Sequence, residues 1–360
     1  MRRTLDRYLL REVALSWAAV TGVLLALLLT NQLAVVLERA AENQYPREVV
    51  FELIWLGALQ NLSIIMPVGL LLGVVLALGR LYHDSEMTAV FACGVGPARL
   101  YGPITVLAVL IAAAVGWLTL FVSPQATAKT VTLRSEALRA GQFAPVAPGR
   151  FRTFGGGDAV VYAEDVESDG TLINVFVERS RDNRIEVALA NRAKHQVTGD
   201  GMTHTITLYE GERFEGTPGS ARFRIVRFAE HTIPVQVPPL MDATTNMETL
   251  PTRQLLSTRD PERSAQLHWR IALPIMCLVL TLLAVPLSRL RPRQGRYARV
   301  WLAVLIYFVY SNLVSAGQIW VARGTVPELL GLWWVHAAVV LLTLGVVFGP
   351  NRIARLRYRG

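Results

Sequence analysis

Six long stretches without Asp, Glu, Lys or Arg constrain this chain more than any other feature of its sequence. They are residues 13–37, 53–79, 100–123, 271–288, 300–322 and 329–351. A helix needs about 20 apolar residues to cross about 30 Å of hydrocarbon. The first stretch is 25 residues long, whereas the apolar core of a signal peptide is shorter, at about 15 residues. The sequence therefore predicts six transmembrane α-helices, and the first should remain in the mature protein.

Arginines flank the predicted spans unevenly. Four precede the first span, five lie between residues 289 and 299, and four follow the last span, whereas the alternate short loops hold only Arg39, Arg47 and Arg323. Because cytoplasmic loops carry the excess of basic residues, we expect both termini and the 289–299 loop to be cytoplasmic and the long 123–270 segment to be outside. Topology also explains the net charge of +9, so binding to nucleic acid is not expected.

The long segment between the third and fourth spans has the pattern of an all-β domain. Apolar and polar side chains alternate in residues 173–178, 185–190, 205–209 and 222–225, which is typical of half-buried strands. Several short strands favour a sandwich, a jelly-roll-like fold or an open barrel. Residues 1–128 are then an N-terminal membrane half, residues 129–250 the β-domain, and residues 251–360 a linker with the C-terminal membrane half. The inward apolar side chains either line a groove for lipid tails or pack only against each other, and the alternation alone favours packing.

Small residues recur four apart in the second span, at Gly69, Gly73 and Ala77. Such a row lets two helices approach closely. We expect this approach to be an intramolecular helix contact rather than a seam between subunits.

The sequence contains no pattern typical of catalysis or of a bound cofactor. It has neither the GxxxxGK[ST] phosphate loop nor a GxSxG elbow. His195 and His204 lack the spacing of metal ligands, and the two cysteines, Cys93 and Cys277, both lie outside the long polar segment. We therefore expect no catalytic residue, no metal and no cofactor, which disfavours a membrane-bound enzyme.

The loop between the second and third spans reads RLYHDSEMTAVFACGVGPAR from Arg80 to Arg99. Ser85 is a candidate N-cap, Glu86 suits the first turn, and Gly94 should end a helix of about two turns. Met87, Val90 and Phe91 would share one apolar face. The residues alone leave two interpretations open: an elbow resting on the membrane, or a helix that docks into a cytoplasmic ATPase with Glu86 as a charged contact and the apolar face as a plug.

These motifs together resemble the lipopolysaccharide-export permeases LptF and LptG. The resemblance covers nearly the whole chain, and the later motifs are closer to LptF than to LptG. The residues that carry it are LYHDSEMTAVFACGVG in the elbow, GERFEGT at Gly211–Thr217, LHWRI at Leu267–Ile271 and VPLSRLRPRQGR at Val285–Arg296.

The resemblance implies a permease subunit of an ABC transporter in the inner membrane of a Gram-negative bacterium. It implies a separate LptB-like ATPase dimer, a second LptG-like permease, and LptC-like and then LptA-like periplasmic bridge proteins as partners, with lipopolysaccharide as the cargo. It implies that Glu86 contacts the ATPase and that the β-domain receives lipid. For an acyl-chain groove, the candidate residues are Phe176, Ile206, Leu208 and Phe223.

One feature departs from the family. Related proteins carry basic residues near the outer end of the first span, whereas this chain has Gln32 and Val35 there, with Arg39 farther out. Arg39, with Gln32, is the candidate contact for lipid phosphate. The alternatives are the paralogous LptG role and a mechanotransmission ABC protein, although in the latter class the outside domain typically follows the first span and here it follows the third.

Overall fold

The structure is a computed structural model that describes residues 2–41, 47–143, 148–154, 159–167, 169–181, 184–197, 203–217, 223–236, 246–257, 260–289, 297, 299–328 and 330–357. Its internal contacts divide the chain into two units. The membrane unit comprises Met1–Ala41, Arg47–Leu133 and Ala243–Gly360, and the β-unit lies within Arg134–Asp242.

The described residues form nine α-helices, seven of which have 17 residues or more. A 3₁₀ turn, Pro97–Leu100, precedes the fourth helix, and a π-helical turn, Leu118–Val122, joins the fourth helix to the fifth. The helices are α1 (Arg2–Ala41), α2 (Arg47–His83), α3 (Glu86–Ala92), α4 (Tyr101–Trp117), α5 (Ser123–Phe143), α6 (Thr252–Leu256), α7 (Pro261–Leu287), α8 (Val300–Ala322) and α9 (Trp333–Arg357).

Five helical segments are long and apolar enough to cross a membrane, and they coincide with the first five predicted spans: Arg3–Ala41, Val49–His83, Pro97–Glu136, Pro261–Leu287 and Val300–Ala322. The sixth predicted span coincides with α9, whose apolar part is Trp333–Val347. This helix begins later than the predicted residue 329. The preceding chain is a turn in which the amides of Leu330 and Gly331 donate to Pro327 O, with Gly331 at a φ of 42°.

Helices α1 and α2 approach closely at the predicted row of small residues. A β-carbon on Gly73 would lie 2.7 Å from the backbone nitrogen and Cα of Trp17, and one on Gly69 would lie 2.2 Å from the Thr21 hydroxyl. Neither position has space for a side chain. The row therefore makes an intramolecular helix contact, as predicted, and the core of the membrane unit is built around α2 and α7.

The β-unit contains one antiparallel sheet whose six described strands follow chain order. The inserted all-β domain is thus confirmed. Its described strands form a meander without the Greek-key crossovers of a jelly-roll. The strands are β1 (Arg150–Phe154), β2 (Ala159–Val166), β3 (Leu172–Arg181), β4 (Arg184–Val197), β5 (Thr203–Gly216) and β6 (Phe223–Gln236).

A kink crosses the middle of the sheet and changes which side chains face its core. Asn174 and Glu210 adopt positive φ values of 49° and 53° in β3 and β5, although the pairing of the strands keeps a constant register on both sides. Leu172 and Val175 consequently both join the core, although they are three residues apart. A strict alternation with a period of two residues does not predict this, because it would place Val175 on the same face as Ile173.

Candidate functional site

The elbow helix α3 begins at Glu86, directly after Ser85, as predicted. Ser85 does not cap it, because its backbone is left-handed, with φ at 63°, and its side chain makes no capping hydrogen bond. An N-cap normally has an extended backbone. The helix ends at the predicted glycine: Gly94 N donates to Phe91 O at 3.0 Å and Val95 N to Val90 O at 3.4 Å, which is the Schellman pattern.

The predicted apolar face of α3 is turned into the membrane unit. Met87 is only 1% exposed and belongs to the core, while Phe91 is half-buried against Tyr82, with ring centroids 6.3 Å apart. Val90 is also half-buried. Met87 is therefore packed inside this chain and is not exposed to a partner. A helix of seven residues has little stability of its own, so its apolar side chains pack where they contribute most, on the chain's own core.

Glu86 lies in a hydrogen-bonded network that joins three helices. The Tyr8 hydroxyl of α1 donates to Glu86 Oε2 at 2.8 Å and accepts from Arg80 Nη2 of α2 at 3.3 Å. Arg80 Nη2 also pairs with Glu12 Oε2 of α1 at 2.9 Å. Opposite charges therefore alternate around the tyrosine hydroxyl, and the Glu86 carboxylate is held at the surface.

A second ion pair joins the other end of the elbow to α1. Arg99, in the 3₁₀ turn after the elbow, donates from Nη2 to Asp6 Oδ2 at 2.7 Å. Both partners are partly exposed, so the pair by itself contributes about 1 kcal/mol or less to stability. Because Arg80 precedes α3 and Arg99 follows it, ion pairs join α1 to the chain on both sides of α3.

The candidate phosphate contacts near the C-terminal end of α1, Gln32 and Arg39, differ in their surroundings. Gln32 Nε2 donates to Leu53 O of α2 at 2.9 Å, and its side chain fills the space beside Gly57. Gln32 thus serves the packing of α1 on α2, and its predicted contact with phosphate is not supported. Arg39 is exposed and keeps an interaction within the chain.

The four candidate groove residues of the β-unit lie on opposite faces of the sheet. Ile206 and Leu208 are buried on the core face, with Val175 and Val177. Phe176 lies on the other face, where it contacts Phe151 edge to face at 6.4 Å. Phe223 is 64% exposed. It lies two residues before Ile225 on β6 and therefore on the same face, which is the face of Phe176 because Ile225 pairs with Phe214 there. The four residues therefore do not line one face of the sheet together, because a strand with apolar residues at adjacent positions does not reveal which face is the inner one.

A charged cluster interrupts the core face of the sheet. Arg213 Nη1 contacts Glu186 Oε1 at 3.1 Å and His231 Nε2 at 3.2 Å, and its Nη2 pairs with Glu215. Burial, together with the positive charge of Arg213, lowers the pKa of His231 below its ordinary value. Arg213 and Glu215 lie in the motif GERFEGT, but this cluster was not predicted from the sequence. The signal was an arginine between two glutamates on one strand.

A polar cavity of about 420 Å³ lies within the membrane unit. Its lining includes amide and hydroxyl side chains from α2, α5, α7 and α8, together with Arg270. Arg270 is 3% exposed and donates to Thr252 Oγ1 at 2.9 Å, Glu248 O at 3.0 Å and Leu250 O at 2.8 Å. The Thr252 hydroxyl in turn donates to Leu120 O of the π-helical turn at 2.5 Å. Arg270 lies in the motif LHWRI and directly precedes an uncharged span, but no role for it was predicted from the sequence.

This arrangement defines a multi-pass membrane protein with an inserted β-sheet and a short surface helix that presents a carboxylate beside its first membrane helix. The chain matches the family described as "Lipopolysaccharide export system permease LptF/LptG" over residues 7–348. It belongs to that family, and it is a non-catalytic transmembrane subunit of the Lpt ABC transporter.

The individual relatives agree with this assignment. The lipopolysaccharide export system permease protein LptF of Escherichia coli K12 is 28% identical over 344 residues, which are 95% of this chain and 93% of that protein. The LptF proteins of Escherichia coli O157:H7 and Shigella flexneri give the same values. The resemblance identified from the motifs is thus confirmed.

Proposed function

We propose that this chain fills the LptF position of the transporter. In this role it extracts lipopolysaccharide from the inner membrane together with a second, LptG-like permease and delivers it to LptC-like and LptA-like bridge proteins in the periplasm. Energy comes from a separate LptB-like ATPase dimer, because the sequence lacks a phosphate loop. The similarity to LptF proteins, 28% identical over 95% of this chain, supports this proposal.

The ATPase contact is proposed to be α3, with Glu86 as its charged residue. The buried position of Met87 narrows the docking surface, because the apolar stripe of α3 is already packed. The remaining surface consists of Glu86 and the exposed side chains Thr88, Ala89 and Ala92. Small side chains around one carboxylate suit a close approach by a cationic group of a partner.

Replacing Glu86 with lysine tests this contact. In Glu86→Lys, the reversed charge should weaken the hold on the ATPase while the protein still inserts, so less ATPase is recovered with the tagged permease from detergent. Glu38→Lys is the matched control, because Glu38 lies near the end of α1 opposite to Tyr8, and it should leave the recovery of the ATPase unchanged. Full recovery of the ATPase with Glu86→Lys, together with normal export, removes Glu86 from this role.

The lipid path in the β-unit is proposed to follow the core face of the sheet. That face holds Ile206 and Leu208 and is lined by Val and Ala side chains, which suit acyl chains. The Arg213 cluster lies on the same face, within reach of polar groups of a lipid.

Photocrosslinking distinguishes the two faces. A photoreactive residue at Leu208 should form adducts with lipopolysaccharide during ATP-driven export, whereas one at Phe176, on the opposite face, should form few. Equal yields at both positions, or adducts at Phe176 alone, would place the lipid elsewhere.

A further inference from the structure

We propose that Tyr8 is a positioning residue that holds the Glu86 carboxylate and passes displacement of the elbow to the first membrane helix, α1. The inference rests on the proposed ATPase contact of Glu86 and adds a second residue and a direction of transmission to it. Neither follows from the motif of the elbow, because Tyr8 lies 78 positions away in the sequence.

The contacts of the Tyr8 hydroxyl give it a defined orientation. A phenol has one proton to donate and lone pairs with which to accept. The proton goes to Glu86 Oε2 at 2.8 Å, and a lone pair accepts from Arg80 Nη2 at 3.3 Å. Arg80 is itself held by Glu12, at 2.9 Å. The hydroxyl is therefore fixed between a carboxylate and a guanidinium, and both of its bonds are charge-assisted.

The elbow needs such a contact because it cannot orient Glu86 alone. Helix α3 has seven residues and lacks a side-chain N-cap, so its orientation depends on tertiary contacts. Met87 anchors one side of the helix in the core, and Tyr8 holds the Glu86 side chain. Among the described residues, Glu86 accepts its hydrogen bond through Oε2, which leaves Oε1 for a cationic group of the ATPase. One carboxylate would then join the partner to α1.

Helix α1 is the part of the membrane unit best placed to respond. It is one continuous helix from Arg2 to Ala41. Only 11% of the residues in its most apolar stretch are buried inside the protein, against 72% in the corresponding stretch of α2. Arg99 pairs with Asp6, two residues before Tyr8, so both sides of the elbow are joined to the first turns of α1. A shift of α3 must therefore move the start of α1 or break a charge-assisted bond.

The test uses Tyr8→Phe, which removes the hydroxyl and keeps the ring. The complete complex of both permeases and the ATPase is reconstituted in vesicles containing lipopolysaccharide, and lipopolysaccharide delivered per ATP hydrolysed is measured. The ratio should fall about two- to tenfold, because the lost hydrogen bond is to a charged group but is exposed to solvent, while recovery of the ATPase stays normal. Tyr307→Phe, which loses the weak 3.4 Å bond to Ile64 O within the same unit, is the matched control and should keep the ratio.

Hydrogen exchange separates transmission from simple loss of structure. In the unmodified complex, trapping the ATPase with nucleotide and vanadate should change amide exchange in both α3 and the first turns of α1. In Tyr8→Phe, the change should persist in α3 and disappear from α1. An unchanged transport ratio, a response of α1 that survives in Tyr8→Phe, or a loss of ATPase from the complex overturns the inference. Failure of the Glu86 contact would appear separately, as normal ATPase recovery in Glu86→Lys.

Discussion

Arg270 offers the sharpest test of how the membrane unit is held together. Its guanidinium makes three hydrogen bonds, of which two satisfy the backbone carbonyls of Glu248 and Leu250 in the segment that leads back into the membrane. Arg270→Ala leaves both carbonyls without this donor. The bond to Leu250 O is buried, whereas the bond to Glu248 O is only partly buried. Since a buried polar group left unsatisfied costs about 1–3 kcal/mol, we expect a loss of roughly 1–3 kcal/mol in the free energy of unfolding. That is a measurable part of the about 5–15 kcal/mol typical of folded proteins.

The chain contains its own reporter for this measurement. Cys277 is fully buried in α7, whereas Cys93 is exposed. In a Cys93→Ser background, a maleimide that fluoresces on reaction with thiols reports the exposure of Cys277 as the protein is heated in detergent. Arg270→Ala should react at a clearly lower temperature than the unmodified protein, and Arg270→Lys should be intermediate, because an ammonium group cannot reproduce the planar fork.

Arg253→Ala is the matched control, because Arg253 is an exposed arginine in the same returning segment. It should unfold at nearly the temperature of the unmodified protein. If Arg270→Ala and Arg253→Ala unfold at the same temperature, the buried guanidinium does not stabilise the segment, and the reasoning is refuted.

Three further predictions concern packing, pH and topology. Gly73→Val should destabilise the α1–α2 contact by about 1–3 kcal/mol, since its β-carbon would meet the Trp17 backbone. Gly22→Val should not, because the space around Gly22 is open, and thermal unfolding in detergent compares the two variants. His231 has a lowered pKa in the folded sheet, so the unfolded chain binds more protons and stability falls as the pH drops below about 6.5. The protection factors of the β5 and β6 amides, which correct for the intrinsic pH dependence of hydrogen exchange, should therefore fall from pH 7 to 5, and less so in His231→Gln. Cys93 should react with a membrane-impermeant maleimide only after the inner membrane is permeabilised, and reaction in intact spheroplasts would contradict a cytoplasmic elbow.

The membrane spans were the most predictable part of the fold. Uncharged runs of about 20 residues have few alternatives to a membrane helix, because the backbone must satisfy its hydrogen bonds internally in lipid. Strand alternation likewise predicted the β-domain. Both signals are local and can be read without knowing the neighbours of a residue.

The candidate sites were less predictable because they depend on neighbours. Helical spacing placed Met87 and Phe91 on one face of α3, but whether that face meets a partner or the chain's own core depends on helices that are distant in sequence. The candidate acyl-chain groove likewise grouped Phe176 with Ile206, although the kink at Asn174 and the pairing of the strands put them on opposite faces.

The sequence by itself determined that this chain spans a membrane, carries an all-β insert and belongs with the lipopolysaccharide-export permeases, because hydropathy, alternation and motif order are properties of the chain read in one dimension. Only the tertiary structure decided that Tyr8 holds Glu86, that Arg270 secures the returning segment and that the two faces of the sheet differ. These contacts join residues between 18 and 78 positions apart. Burial and charge pairing depend on distances in space, which no spacing along the chain specifies.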